Sequence, residues 1–225
     1  MNFYITDREA KEIGISVLAI AFAFAIANFG LGLLAAPSQA ATIIAFFLAT
    51  IGVGFIMHEM AHKVVANLFG AAAEFRMWTY GLMIMLVLSI TGFIFAAPGA
   101  VYIYSPYLTR RQNGLISLAG PLTNLALVGV FLALALFAPI SVPGLEGNAW
   151  IWGVLINLML GFFNMLPMFP LDGSKIIAWN FLIWFFFVGL FFAFGIMLFG
   201  FGIVMSWGLM LAIALIFSKA LSGRF

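Results

Sequence analysis

Residues 43–69 read IIAFFLATIGVGFIMHEMAHKVVANLF. The stretch is long and apolar enough to cross a hydrocarbon layer of about 30 Å as a helix of roughly 20 residues. Yet it carries His58-Glu59-Met60-Ala61-His62, and these two histidines are the only ones in the chain. On an α-helix four residues rise about 6 Å and turn about 40° past one full turn. His58 and His62 therefore lie one above the other on a single face and can close on one metal ion. Glu59 sits one step round, placed to work on a water held by that metal. The spacing reads as a zinc hydrolase motif set in a membrane span.

The rest of the chain fits that setting. It is 66% hydrophobic and 7% charged, against about 25% charged residues in ordinary soluble domains. No polar stretch exceeds a loop, so one membrane domain over residues 1–225 is expected. A net charge of +2 with no basic cluster argues against a nucleic-acid partner. There are no cysteines, which excludes disulfides and thiolate ligands and leaves a metal to nitrogen and oxygen donors. The first apolar run is too long for the core of a signal peptide, although Ser38-Gln39-Ala40 is cleavage-site-like, and it is read as a retained span.

Spans are expected at about 13–34, 43–69, 114–138, 150–166, 178–199 and 201–220. An apolar run at 81–97 either crosses or turns back. If it turns back, Arg8, Lys11, Lys63, Arg76, Arg110, Arg111, Lys175, Lys219 and Arg224 all face one side, which the positive-inside tendency makes cytoplasmic. The expected fold is thus an all-α polytopic membrane protein with six transmembrane helices and a short re-entrant β-hairpin between the second and third spans. Both termini would be cytoplasmic, in the cell membrane. Glu74-Phe75-Arg76-Met77-Trp78 and Val101-Tyr102-Ile103-Tyr104 have the alternation and the β-branched, aromatic character of strands flanking that turn. Such backbone at membrane depth must be covered by protein or by a wet cavity, which places it beside the site. An ordinary interfacial loop is the competing reading. In the last two spans, Gly189, Gly195, Gly200, Gly202 and Gly208 suit close helix approach. Those spans either gate entry from the lipid or simply pack.

A catalytic zinc takes three protein ligands and keeps one position open. With no further histidine, the third must be an oxygen donor. Asp7, Glu9 and Glu12 belong to an amino-terminal head read as exposed, and Glu74 and Glu146 to loops. Asp172 follows Asn164-Met165-Leu166-Pro167-Met168-Phe169-Pro170-Leu171, whose prolines interrupt helix and let the chain swing a carboxylate inward. The competing reading is a plain Asp172-Gly173 turn.

Three segments in this order resemble the site-2 protease family of intramembrane zinc metalloproteases. They are His58 to His62; Ala119-Gly120-Pro121-Leu122-Thr123-Asn124, similar to a Gly-x-x-x-Asn element; and Asn164 to Gly173, similar to an Asn-x-x-Pro-x-x-Pro-x-Asp-Gly element. Together they span about residues 43–180. The resemblance implies that His58, His62 and Asp172 bind Zn2+, that Glu59 is the catalytic base, and that Asn124 and Asn164 lie near the substrate or the developing oxyanion. It also implies a transmembrane protein substrate cut within the lipid bilayer near its cytoplasmic side. The PDZ or CBS modules of many relatives have no counterpart in these residues. Two other functions fit the same residues: a proton or ion conductor using His58, Glu59 and Asp172 as a relay, and a zinc-binding membrane partner that does not cut.

Overall fold

The computed structural model describes residues 4–94, 98–105 and 107–222. Arg224, and residues 95–97 at the end of the expected 81–97 turn, lie outside the described residues. Helix α1 (Asp7–Phe29) starts where the Thr6 hydroxyl accepts from Glu9 N, with Asp7 and Glu9 in its first turn, and ends at Gly30, whose φ of 72° a larger residue would resist. A 3-10 turn leads into α2 (Pro37–Phe47), which continues through a π-helical turn at Leu48–Gly52 into α3 (Val53–Leu68). The motif stretch is therefore one long helix with a widened turn in its middle.

Strands β1 (Ala72–Met77) and β2 (Gly99–Tyr104) pair antiparallel, with Glu74 opposite Tyr102 and Phe75 opposite Val101. Both extended flanks are thus present, but they enclose a helix, α4 (Thr79–Ser89), rather than a simple turn. An apolar run of that length satisfies its backbone more fully as helix than as hairpin loop. Helix α5 (Arg110–Phe137) opens on a capping box between Thr109 and Gln112. It packs against α3, against α6 (Trp150–Asn164) and against α7 (Asp172–Trp179). Helices α8 (Phe181–Phe199) and α9 (Phe201–Ser222) complete the described chain.

Five of these segments are long and apolar enough to cross a membrane: Asp7–Phe29, Pro37–Leu68, Arg110–Phe137, Phe181–Phe199 and Phe201–Lys219. The segment expected at 150–166 is α6, whose 15 helical residues rise only about 22 Å. Pro167 and Pro170 stop it from lengthening, and the chain after Asn164 runs through turns to Asp172.

Of the four apolar clusters among the described residues, two large ones hold most of the bundle. One joins α1, α2 and α6 through Ile20, Ala21, Ala25, Ile43, Phe47 and Ile156. The other joins α5, α6, α8 and α9 around Leu158, Phe162, Phe191 and Trp207. In the latter the Phe162 and Trp207 rings stack at 4.7 Å. Of the five glycines expected to allow close approach, only Gly195 does so: a Cβ there would come within 2.8 Å of the Trp207 ring, while Gly189, Gly200, Gly202 and Gly208 have open space.

The amino-terminal head is not uniformly exposed. Glu9 is fully buried, because it lies on the face of α1 that meets β1 and α3. Its Oε2 pairs with Lys63 Nζ at 2.5 Å and its Oε1 accepts from Phe75 N at 2.9 Å.

Candidate metal centre

Helix α3 presents His58 and His62 on one face, their ring centroids 4.7 Å apart and their planes at 88°. Both rings are buried against α5, and the reason lies in one residue. A Cβ on Gly120 would come within 2.5 Å of His58 Nε2 and 2.6 Å of His62 Cε1, so only a glycine lets α5 close over the two imidazoles. The Gly120 of the Gly-x-x-x-Asn element is thus the seat of the histidine pair.

Asp172 reaches the same point from α7. Its Oδ2 lies 3.2 Å from His58 Nε2 and 3.1 Å from His62 Nε2. As the first residue of α7 it also sits at the end of that helix where a carboxylate is favoured. Gly173 lets the α7 start press on the Met165 and Leu166 carbonyls, where any Cβ would clash. Asp172-Gly173 is therefore a packed helix start, not a free surface turn. Lys175 Nζ stands 3.7 Å from Asp172 Oδ1.

These three side chains are the group among the described residues whose ligand atoms lie within 4.8 Å of one another. Whether they suit a cation is tested by the far side of each imidazole. His58 Nδ1 donates to Asn124 Oδ1 at 2.6 Å, and His62 Nδ1 donates to the Ile116 carbonyl at 2.7 Å. Both acceptors require the proton on Nδ1, so in the neutral rings both Nε2 lone pairs point at Asp172 Oδ2. Two lone pairs and a carboxylate oxygen facing one another repel unless a metal ion or a proton lies between them. Two imidazoles and a carboxylate form a donor set suited to zinc, and the hydrogen bonds behind the rings are those that orient ligating histidines. The residues fit the metal.

Glu59 is buried beside this group, and its Oε2 accepts from Val101 N of β2 at 2.8 Å. Asn124 is fully buried: besides His58 it reaches Asn157 Oδ1 at 3.1 Å and the Gly54 carbonyl at 3.3 Å. Asn164, half-buried at the end of α6, donates to the Leu160 carbonyl at 3.0 Å. Nothing in the sequence alone singles out Asn157 or the Ile116 carbonyl. A lone asparagine in an apolar helix has no distinguishing spacing, and a backbone oxygen has no signature at all.

Similar proteins are named as zinc metalloproteases. A Methanocaldococcus jannaschii protein called "Putative zinc metalloprotease" is 46% identical over 184 residues, covering 81% of this chain and 90% of its own. The chain belongs to the site-2 protease family of zinc metalloproteases. Two further proteins bearing that name are more distant members of the comparison. One from Bacillus subtilis is 34% identical, covering 60% of this chain and 69% of its own; one from Mycobacterium tuberculosis is 34% identical over 54% of this chain and 27% of its own. No protein-family model matches the chain, and neither does any solved structure. Within the site-2 protease family, the match to the Methanocaldococcus protein extends over most of both chains.

Proposed function

We propose that this protein is an intramembrane zinc endopeptidase that hydrolyses peptide bonds of transmembrane substrates near the cytoplasmic side of the cell membrane. The observation that carries the reading is the convergence of His58, His62 and Asp172, with Glu59 alongside, inside helices apolar enough to span a bilayer. His58, His62 and Asp172 are the zinc ligands. Glu59 is the catalytic base, Asn164 lies near the substrate, and Asn124 serves the site from behind His58.

Zinc bound by these residues supplies a Lewis acid that acidifies water and polarises a substrate carbonyl. Glu59 removes the proton from the attacking water and returns it to the leaving amine, acting first as general base and then as general acid. Burial of Glu59 keeps bulk water from competing for that proton. A helical substrate must unwind before its carbonyl is available, and the outer edge of β2 offers a partner strand for the unwound segment. Val101 N lies on that edge and faces Glu59, so a paired segment would run past the base.

The residues form a single domain. Six spans follow if α6, together with the turns from Met165 to Leu171, serves as the fourth, while β1, α4 and β2 enter and return on the cytoplasmic side. Both termini are then cytoplasmic, and the positive side chains gather there. Accessibility labelling of Asn113 from each face checks this arrangement; finding it opposite the amino terminus would remove the re-entrant segment.

Activity is tested on the full chain reconstituted in liposomes with a membrane-span substrate. The parent is expected to hold one zinc, His58→Ala to lose it, and Glu59→Gln to keep it while cleavage falls by about 10²-fold or more. Cleavage by Glu59→Gln at the parent rate would overturn the assignment.

A further inference from the structure

A chain of hydrogen bonds runs away from the metal centre through side chains that the hydrolysis itself does not use. His58 Nδ1 meets Asn124 Oδ1 at 2.6 Å, Asn124 Nδ2 meets Asn157 Oδ1 at 3.1 Å, and Asn157 Nδ2 meets the Gly153 carbonyl at 2.9 Å. Asn124 and Asn157 are both fully buried, one on α5 and the other on α6. Helix α3 closes the third side: a Cβ on Gly54 would lie 2.5 Å from Asn157 Oδ1. The amide of Asn157 is therefore wedged between three helices.

The direction of every bond in this chain is fixed at its far end. A backbone carbonyl only accepts, so the Gly153 oxygen requires the NH2 of Asn157 and turns the Asn157 oxygen toward α5. That oxygen in turn requires the NH2 of Asn124, which the Gly54 carbonyl at 3.3 Å also requires. The Asn124 oxygen is left facing His58, and it can only accept. The proton of the neutral ring must then sit on Nδ1, with the Nε2 lone pair turned to Asp172. His62 reaches the same tautomer in one step, through the Ile116 carbonyl.

We propose that Asn157 is a positioning residue for the metal centre, setting the tautomer and orientation of His58 through Asn124. This rests on His58 being a zinc ligand. Without the Asn157 oxygen, Asn124 is held by the Gly54 carbonyl alone on its NH2 side, and its amide can turn to offer His58 a donor. His58 would then carry its proton on Nε2, where it opposes the metal. The effect on zinc must travel through Asn124, which separates it from a loss of packing.

The test measures zinc affinity of the full chain in detergent, by competition with a chelator of known affinity, together with the 15N shifts of the His58 ring. Asn157→Leu is expected to weaken zinc about tenfold, the low end for groups behind a ligand, and to populate the Nε2–H form of the zinc-free ring. In an Asn124→Leu background the same substitution is expected to add less than about twofold, because the path is already cut. Asn157→Asp keeps the accepting oxygen and is expected to stay within about threefold of the parent. It also serves if Asn157→Leu does not fold. Equal losses from Asn157→Leu in both backgrounds, an unchanged His58 tautomer, or a tenfold loss in Asn157→Asp would each overturn the proposal. If His58→Ala itself leaves zinc affinity unchanged, it is the ligand assignment that fails.

Discussion

The two outer edges of the small sheet are closed in the same way and for different ends. On β1, Phe75 N donates to Glu9 and Met77 N donates to Glu12, both at 2.9 Å and both from α1. On β2, Val101 N donates to Glu59 of α3 at 2.8 Å. Two backbone donors on the outer edge of β1 and one on that of β2 are thus capped by carboxylates, which also keeps an exposed strand from pairing indiscriminately. The difference lies behind the carboxylates. Glu9 is locked by Lys63, and Glu12 by Arg8 at 2.7 Å with Arg76 nearby at 3.9 Å. Glu59 has the histidine pair and Asp172 as neighbours instead. One edge is a seam that ties α1 to the sheet; the other is capped by the residue proposed as the base, and under the proposed function it is the edge a substrate segment would pair with by displacing that cap.

If that contrast holds, substitutions on the two edges should separate stability from turnover. The largest effect is expected from Glu9→Gln, which leaves Lys63 buried without its carboxylate and should cost about 3–5 kcal/mol, read as a large drop in the denaturation midpoint of the zinc-loaded chain. A change of midpoint no greater than that of a surface substitution would mean α1 is not locked there. Next is Val101→Pro. The Val101 N–H points away from β1, so no ladder bond is lost, only its bond to Glu59, and the expected outcome is about a tenfold loss of kcat/KM with a midpoint lowered by less than in Glu9→Gln. A parent-like kcat/KM would move substrate binding off β2. The smallest effect is expected from Glu12→Gln, about 1 kcal/mol or less, because Glu12 is half-buried and an amide oxygen still accepts from Met77. Midpoint measurements rank it against Glu9→Gln, and equality of the two would erase the distinction between a buried and a wet clamp.

How much of this was legible in the sequence depends on whether the information was local. His58, Glu59 and His62 declare themselves by helical spacing, and the prolines at 167 and 170 mark where Asp172 can leave the line of a helix. Alternation and β-branching mark extended chain at 74–78 and 101–104, within two residues of the strands at 72–77 and 99–104. What could not be read involves partners far apart in the chain. Glu9 looked like part of a wet head because nothing near it says that Lys63 and the Phe75 N–H will meet it. Asn157 is one polar residue in an apolar stretch with no distinguishing spacing, its partners being 33 residues away on α5 and one turn back on its own helix. The helix α4 between the strands was hidden because a short apolar run has the same composition whether it crosses, coils or turns.

The widened turn at Leu48–Gly52 has a consequence for how the long helix from Pro37 to Leu68 is shared. Bonds spanning five residues rather than four insert one extra position, and one position is about 100° of rotation on a helix. The stripe by which α2 grips its neighbours is thereby decoupled from the stripe that carries the histidines. Removing a single residue from this turn would leave hydropathy, length and motif all but unaltered. It would swing His58 and His62 by about a quarter turn away from Gly120 and Asp172, leaving a chain that looks like a protease to every linear test and has no centre.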